Sequence, residues 1–298
     1  MGIDVSSTSP VAASARHPLY WENIGFLVLT HLAGVFGVLY LGLIHFSAWS
    51  LGLGLLWLGL CMLSTTGGYH RLFSHRSYQG AWPLRVFYLL FGAASFQSSA
   101  LRWASDHRAH HAHTDEADDP YNITRGFWWA HVGWLLYRSG PSDYRNARDL
   151  QSDPLIRLQD RLYLPVAIAV GMLLPFALGA LWGDSWGALF LAGFSRLLVQ
   201  YHATFSINSV AHSVGRRPYS THTSARDSFI AALATLGEGY HNFHHRFPSD
   251  YRNGIRAHQF DPTKWCVWLF SRVRLARNLK RVAPELIATA RRSVCSDS

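Results

Sequence analysis

IGFLVLTHLAGVFGVLYLGLI, residues Ile24–Ile44, is a run of bilayer-spanning length without one Asp, Glu, Lys or Arg, and its reading decides the fold. A turn at His45–Ser50 leads into a second apolar stretch, Ala48–Tyr69. The arrangement recurs later, where Leu162–Leu181 and Ala188–Asn208 flank the turn Trp182, Gly183, Asp184, Ser185. Four spans in two hairpins are expected, at about 24–44, 48–69, 162–181 and 188–208. Residues 70–161 and 209–298 then form a helical cap outside the bilayer, and 1–298 reads as a single all-α integral membrane domain.

Composition agrees with this reading. Of 298 residues 49% are hydrophobic and 15% charged, where a soluble domain carries nearer a quarter charged. Both hairpin turns lack Lys and Arg, whereas Arg71–Arg161 and the tail after Arg216 are rich in Arg. The positive-inside rule therefore places both termini and the cap on the cytoplasmic side of a multi-pass protein. The net charge of +9 is carried by residues interleaved with Trp and Leu. It reads as attachment to a lipid bilayer rather than binding to nucleic acid. Lys264–Val282, with Trp265, Trp268, Leu275 and Leu279, is expected as an amphipathic interfacial helix. Val86–Phe96 is too short to cross and is expected in the interface or packed under the cap. Cys61, Cys266 and Cys295 are scattered and form no thiolate site or disulfide frame. No removable signal peptide and no repeat of fixed period is read.

The chemistry lies in the histidines, 17 in all. His70 and His75 stand in GGYHRLFSHRSY. Five residues turn about 140° on an α-helix, so the two rings share a metal only if the helix ends between them. DHRAHHAHTDEADD carries His107, His110 and His111 at i, i+3 and i+4, a spacing that places three imidazoles on one helical face. GEGYHNFHHRFP repeats that step at His241, His244 and His245. In SINSVAH, Asn208 and His212 are four apart and share a face. A structural zinc takes four ligands, usually with Cys, so nine imidazoles fit two metals; residue type alone leaves Fe, Zn, Cu and Ni open. Asp106, Asp115, Glu116, Asp118, Asp119 and Glu238 flank the clusters as candidates to orient ring nitrogens. His113 is read as a solvated neighbour; His131, His202, His222 and His258 as isolated polar residues; His31 and His45 lie away from the clusters. Arg196, inside the last expected span, is a functional candidate by default: with Gln200 it either lines a polar pocket on a substrate path or ties the helix to a neighbour.

In this order, HxxxxH, HxxHH, NxxxH and HxxHH, the residues resemble the membrane fatty acid desaturase family. RGFWWAHVGWLL from Arg125, RPYSTHTSARDS from Arg217 and LGEGYHNFHHRFP from Leu236 resemble its stearoyl-type delta-9 branch, and HRAHHAHTD is shared with bacterial members. The likeness covers about 67–260. It implies four transmembrane helices under a cytoplasmic cap. The nine histidines would hold two iron ions, with Asn208 reaching a metal through water. Dioxygen and two electrons would introduce a cis double bond, most simply delta-9, into a saturated acyl chain. A related di-iron hydroxylase is the alternative. A histidine-rich metal transporter is a distant one, because transporters place ligands near the bilayer midplane.

The family's acyl-CoA enzymes have basic residues where this chain has Ser105 and Ser139, while Asp106 and Arg138 match. Acyl-CoA and lipid-bound acyl chains therefore both stay open as substrate. Trp103 joins Asp106 and Arg138 as an expected substrate contact, and Gly54 and Leu58 are expected to close the acyl tunnel, about 18 Å along the helix from His70 to Leu58. The tail after Phe260 has no haem-binding HPGG segment. Electrons are expected from a separate donor such as a ferredoxin or a flavin reductase.

Overall fold

The computed structural model describes residues 18–138 and 144–296, so Ser139 lies outside the described residues. Three helices are long and apolar enough to cross a bilayer by length and composition: α1 (Trp21–Ile44), α2 (Ala48–Ser74) and, further along the chain, Tyr163–Trp182. Each overlaps an expected span. The turn between α1 and α2 is set by Ser47, whose hydroxyl accepts from Ser50 N and caps α2.

Between α2 and Tyr163 lie β1 (Gln79–Gly80), α3 (Trp82–Ala94), α4 (Ala100–His113) and several shorter helical segments. α3 carries Pro83 in its first turn and packs on the end of α2: a side chain at Gly68 would collide with the Tyr88 ring, and Tyr88 is fully buried. Tyr163–Trp182, here α5, is followed by one continuous helical run, 185–213, here α6. Asp184 caps it from Gly187 N and also accepts from Tyr40 O–H and Ser50 O–H, joining the two hairpins at their turns.

The fourth expected span, 188–208, is therefore helical. It carries Arg196, Gln200, His202 and Asn208, and it is not among the helices that qualify as spans by length and composition. It packs closely against α1 because glycines line the contact: at Gly34 a Cβ would sit 3.1 Å from Leu198 Cβ, and at Gly37 it would run into the Ser195 hydroxyl.

After α6 come α7 (His241–Arg246), α8 (Pro262–Arg272), β2 (Ala276–Arg277) and α9 (Pro284–Ser296). The expected helix 264–282 is corrected here. α8 ends at Arg272, Arg274 adopts a left-handed φ of 62°, and the chain continues as β2, pairing antiparallel with β1. Lys264 does not snorkel outward; it is buried, its Nζ donating to the carbonyls of Gly254, Arg256 and Gln259. Trp268 and Leu269 do remain exposed on α8. Among the described residues Cys61, Cys266 and Cys295 form no disulfide.

Candidate metal centre

The last eleven residues of α2, Ser64–Ser74, wind as a π-helix and are buried throughout. An i→i+5 bond stacks residue i+5 over residue i, and His75 N donates to His70 O at 3.1 Å. The two rings lie 4.9 Å apart. The five-residue spacing that an α-helix would splay is therefore brought together by wider winding.

α4 supplies His107, His110 and His111 on its buried side. α7 supplies His241, His244 and His245, although it is only six residues long. Its place is fixed by its neighbours. Asn242, fully buried, accepts from Tyr219 N and Ser220 N and donates to the carbonyls of Ser220 and Ala225. Gly239 approaches Ala231 and Ala232 so closely that no Cβ fits. His212 comes from the end of α6.

The nine rings fall into two groups. His70, His75, His107, His111 and His244 form one; His110, His212, His241 and His245 form the other, with one ring nitrogen from each member within 4.8 Å of the rest of its group. Each HxxHH triplet is thus divided between groups, so α4 and α7 bridge them rather than each serving a single one.

Four of the nine rings have an Nδ1 partner, His245 the longest at 3.4 Å from Thr114 Oγ1. His70 donates to Glu238 Oε2 at 2.8 Å, His110 to Asp119 Oδ1 at 2.8 Å, and His212 to Ser224 Oγ at 2.7 Å, with Asp115 behind Ser224. Of the other flanking acids, Glu116 meets the exposed His113, and Asp106 and Asp118 face a cavity. Burial, and then the neighbouring imidazoles, push His75, His107, His111, His212, His241, His244 and His245 well below the usual histidine range. Neutral imidazole is the ligating form. Burial raises the Glu238 carboxyl, but His70 and Arg71 outweigh it and hold it at about 2.

The donor set fits a cation in each group. With Nδ1–H of His70 committed to Glu238, its Nε2 lone pair faces His244 Nε2 at 2.9 Å, which lies 3.0 Å from His111 Nε2. One proton cannot satisfy three converging nitrogens; a metal ion can. In the other group His212 Nε2 is buried with no hydrogen-bond partner.

Beside both groups opens a cavity of about 950 Å³. His70, His107, His110 and His241 border it, as does Asn208. Its mouth carries Arg102, Arg125 and Arg138, the last paired with Glu22 at 2.9 Å; its deep end reaches Met62, Thr65 and Gln200. Trp103 lines it and stacks on His107. Asp106 lines it too, lifted by burial to about 6 despite Arg102.

Gly54 and Leu58 do not line the cavity. Gly54 lets α2 pack on α6, where a Cβ would stand 3.1 Å from Leu191 Cβ, and the cavity stops one turn short of Leu58 at Met62. Arg196 lies outside it as well. This guanidinium, 2% exposed, donates to the carbonyls of Ala192 and Ala94 and ties α6 to its neighbours. Gln200 lines the cavity and donates to the hydroxyls of Thr65 and Ser95. Ser105 turns away to Asn146. His131 and His202, read as isolated, are in contact at 3.1 Å, with His31 beside His202. Gln97 and Thr204, joined at 3.1 Å on the cavity wall, were not legible from sequence spacing.

The chain's residues 47–268 match the model of a family described as "Fatty acid desaturase". It is 48% identical over 220 residues to a probable acyl-CoA desaturase of Schizosaccharomyces pombe, covering 73% of this chain and 46% of that one. It is 46% identical over 231 residues to acyl-CoA desaturase 1 of Saccharomyces cerevisiae, covering 76% and 45%. It is 35% identical over 289 residues to stearoyl-CoA desaturase 5 of Bos taurus, covering 93% and 84%. The chain thus spans about half the length of the fungal relatives it matches. These relatives are eukaryotic and lend no support to a bacterial branch.

Proposed function

This chain belongs to the fatty acid desaturase family, and we propose that it is a multi-pass membrane enzyme that introduces a double bond into a saturated acyl-CoA. The observation that carries the reading is a pair of nitrogen-only histidine groups, bridged by α4 and α7, on the wall of a cavity with an arginine mouth and a deep end between the helices.

Iron bound at both groups, His70, His75, His107, His111 and His244 in one and His110, His212, His241 and His245 in the other, would supply the oxidising power of dioxygen. The balance is one –CH2–CH2– unit, one O2, two electrons and two protons in, one –CH=CH– unit and two waters out. Every methylene is chemically alike, so the protein's task is placement. Arg102, Arg125 and Arg138 suit the phosphates of CoA by charge-assisted hydrogen bonds, which favours acyl-CoA over a lipid-bound chain. Trp103 and the Gln97–Thr204 pair narrow the cavity beside the histidines, and Asn208 lies on the His212 face of α6, suited to hold a water at the second group. The proposed product is delta-9 and cis, a reading supported by the resemblance to stearoyl-CoA desaturases and compatible with a cavity that runs past the histidines to Met62.

We also assign α6 as a fourth crossing, paired with α1 through Gly34 and Gly37, and place the histidine cap on the cytoplasmic side with both termini. Its basic surface suits an electron donor with an acidic face, such as a ferredoxin or flavin reductase.

The test is expression in a host with saturated lipids, with a ferredoxin and its reductase, and location of new double bonds by mass spectrometry. A hydroxylated chain in place of an unsaturated one refutes desaturation. His244→Ala should abolish the product and lower metal content; near-normal values of both would refute the ligand assignment.

A further inference from the structure

The two histidine groups rest on different buried supports. Behind His70, Glu238 Oε2 accepts from His70 Nδ1 at 2.8 Å and from Asn253 Nδ2 at 2.7 Å, while Oε1 accepts from Arg71 Nη2 at 2.8 Å. Arg71 also donates to Asp261 Oδ1 at 2.9 Å. Asp261 in turn accepts from the backbone N–H groups of Asn253, Gly254 and Lys264. Arg71, Glu238, Asn253 and Asp261 are each no more than 1% exposed. Arg71 bridges the two carboxylates of Glu238 and Asp261, and every Glu238 contact is a donor aimed at a carboxylate.

The other group leans on the turn after α4. Asp119 accepts from His110 Nδ1 at 2.8 Å, from Tyr121 N at 2.9 Å and from Asp115 N at 3.1 Å. Asp115 holds Ser224 through both its N–H and its hydroxyl, and Ser224 receives His212 Nδ1 at 2.7 Å. Among the described residues, no side chain belongs to both supports. The five-histidine group is braced at His70 by Glu238 with Arg71, Asn253 and Asp261, and the four-histidine group by 115–121 with Ser224.

We infer that Glu238 and Asp119 are positioning residues for separate metals, so that each site can be weakened without the other. This rests on the two-metal reading above. Each carboxylate fixes the ring it touches as the Nδ1–H tautomer and aims Nε2 inward; loss of such a support commonly costs about 10–100-fold in metal affinity. Gln at 238 cannot replace Glu. If its oxygen faces His70 and Asn253, its NH2 meets the Arg71 guanidinium; reversed, it meets both other donors.

The experiment titrates purified full-length protein with Co2+ alone, reading stoichiometry and the visible spectrum of each bound ion. Wild type should take two Co2+ per chain. Glu238→Gln should keep one tight ion and bind the second at least tenfold more weakly, and Asp119→Asn should do the same with the other spectrum retained. Adding His75→Ala to Glu238→Gln should change little further, whereas adding His245→Ala should remove the remaining ion. Asn253→Ala, which removes one donor and no charge, should give a smaller loss with the Glu238→Gln spectrum. Equal weakening of both sites, or no weakening, in all three single variants overturns the inference while the two-metal reading stands. A wild type that binds fewer than two Co2+ overturns that reading and this inference with it.

Discussion

Met62 marks the deep end of the cavity, and truncating it should lengthen the preferred acyl chain. It lies on the same helix as His70, eight residues before it, roughly 12 Å away at 1.5 Å per residue, and is 8% exposed. Met62→Ala removes three heavy atoms beyond Cβ, room for about two further methylenes. At about 0.8 kcal/mol per buried methylene the gain for a chain two carbons longer is about 1.6 kcal/mol. That is a shift of roughly fifteenfold in the product ratio of long over short chains. Met62→Trp, which adds bulk at the same point, should move the ratio the other way by a similar factor. The assay supplies equimolar saturated acyl-CoA esters differing by two carbons and quantifies unsaturated products by mass spectrometry. A ratio within about twofold of wild type in both variants would show that the acyl chain does not end at Met62.

Other consequences reach beyond the cavity. Asp184→Ala removes the cap of α6 and the acceptor for Tyr40 and the buried Ser50 hydroxyl. A cap is worth about 1 kcal/mol and a buried bond to a carboxylate about 1.5–3 kcal/mol, so unfolding in detergent should come several degrees earlier with metal content unchanged beforehand; an unmoved midpoint would deny that this turn pins the hairpins. Asp227, half-buried beside α7 and accepting from Phe243 N, has its carboxyl raised by burial to about 7. The folded protein keeps that proton where the unfolded chain loses it, so this residue's contribution is full below about pH 4 and is lost as pH rises toward 7. Asp227→Asn should be more stable than wild type at pH 8, and the difference should shrink as pH falls through 7 toward 5. A difference independent of pH would mean that Asp227 is ionised in the fold.

The gathering of the nine histidines into one region was legible in the sequence because ligand chemistry needs particular residue types at particular steps. The i, i+3, i+4 histidines of α4 and α7 do share a face, as the spacing required. Their division between two groups was not legible, because it depends on how α4 and α7 face each other, which no local pattern encodes. Nor was the π-helical end of α2. A five-residue step looks wrong for an α-helix, and the close approach of Tyr88 and Thr263 to Gly67 and of Tyr88 to Gly68, where the chain winds wider, is tertiary packing that no local pattern encodes. The tail was misread for a related reason. Lys264–Val282 has an amphipathic composition, but Lys264 is drawn inside by three carbonyls and residues 276–277 are taken up by β1, contacts that lie outside the segment itself.

α6, the fourth crossing proposed above, illustrates how functional residues would disguise a span. Gln200, Thr204 and Asn208 recur at intervals of four on the face that lines the cavity, and His212 continues that face to the second histidine group. The exposed side carries Val199 and His202 instead. Mean hydropathy averages both faces of a helix, so the residues that would serve the substrate lower the score of the segment that holds them. α1 and α5, which contribute only a few residues to the cavity near their ends, keep the uninterrupted apolar run that identifies them. A weak span that shares a helical face with metal-ligand spacing is therefore better read as the wall of a site than as a poor membrane helix.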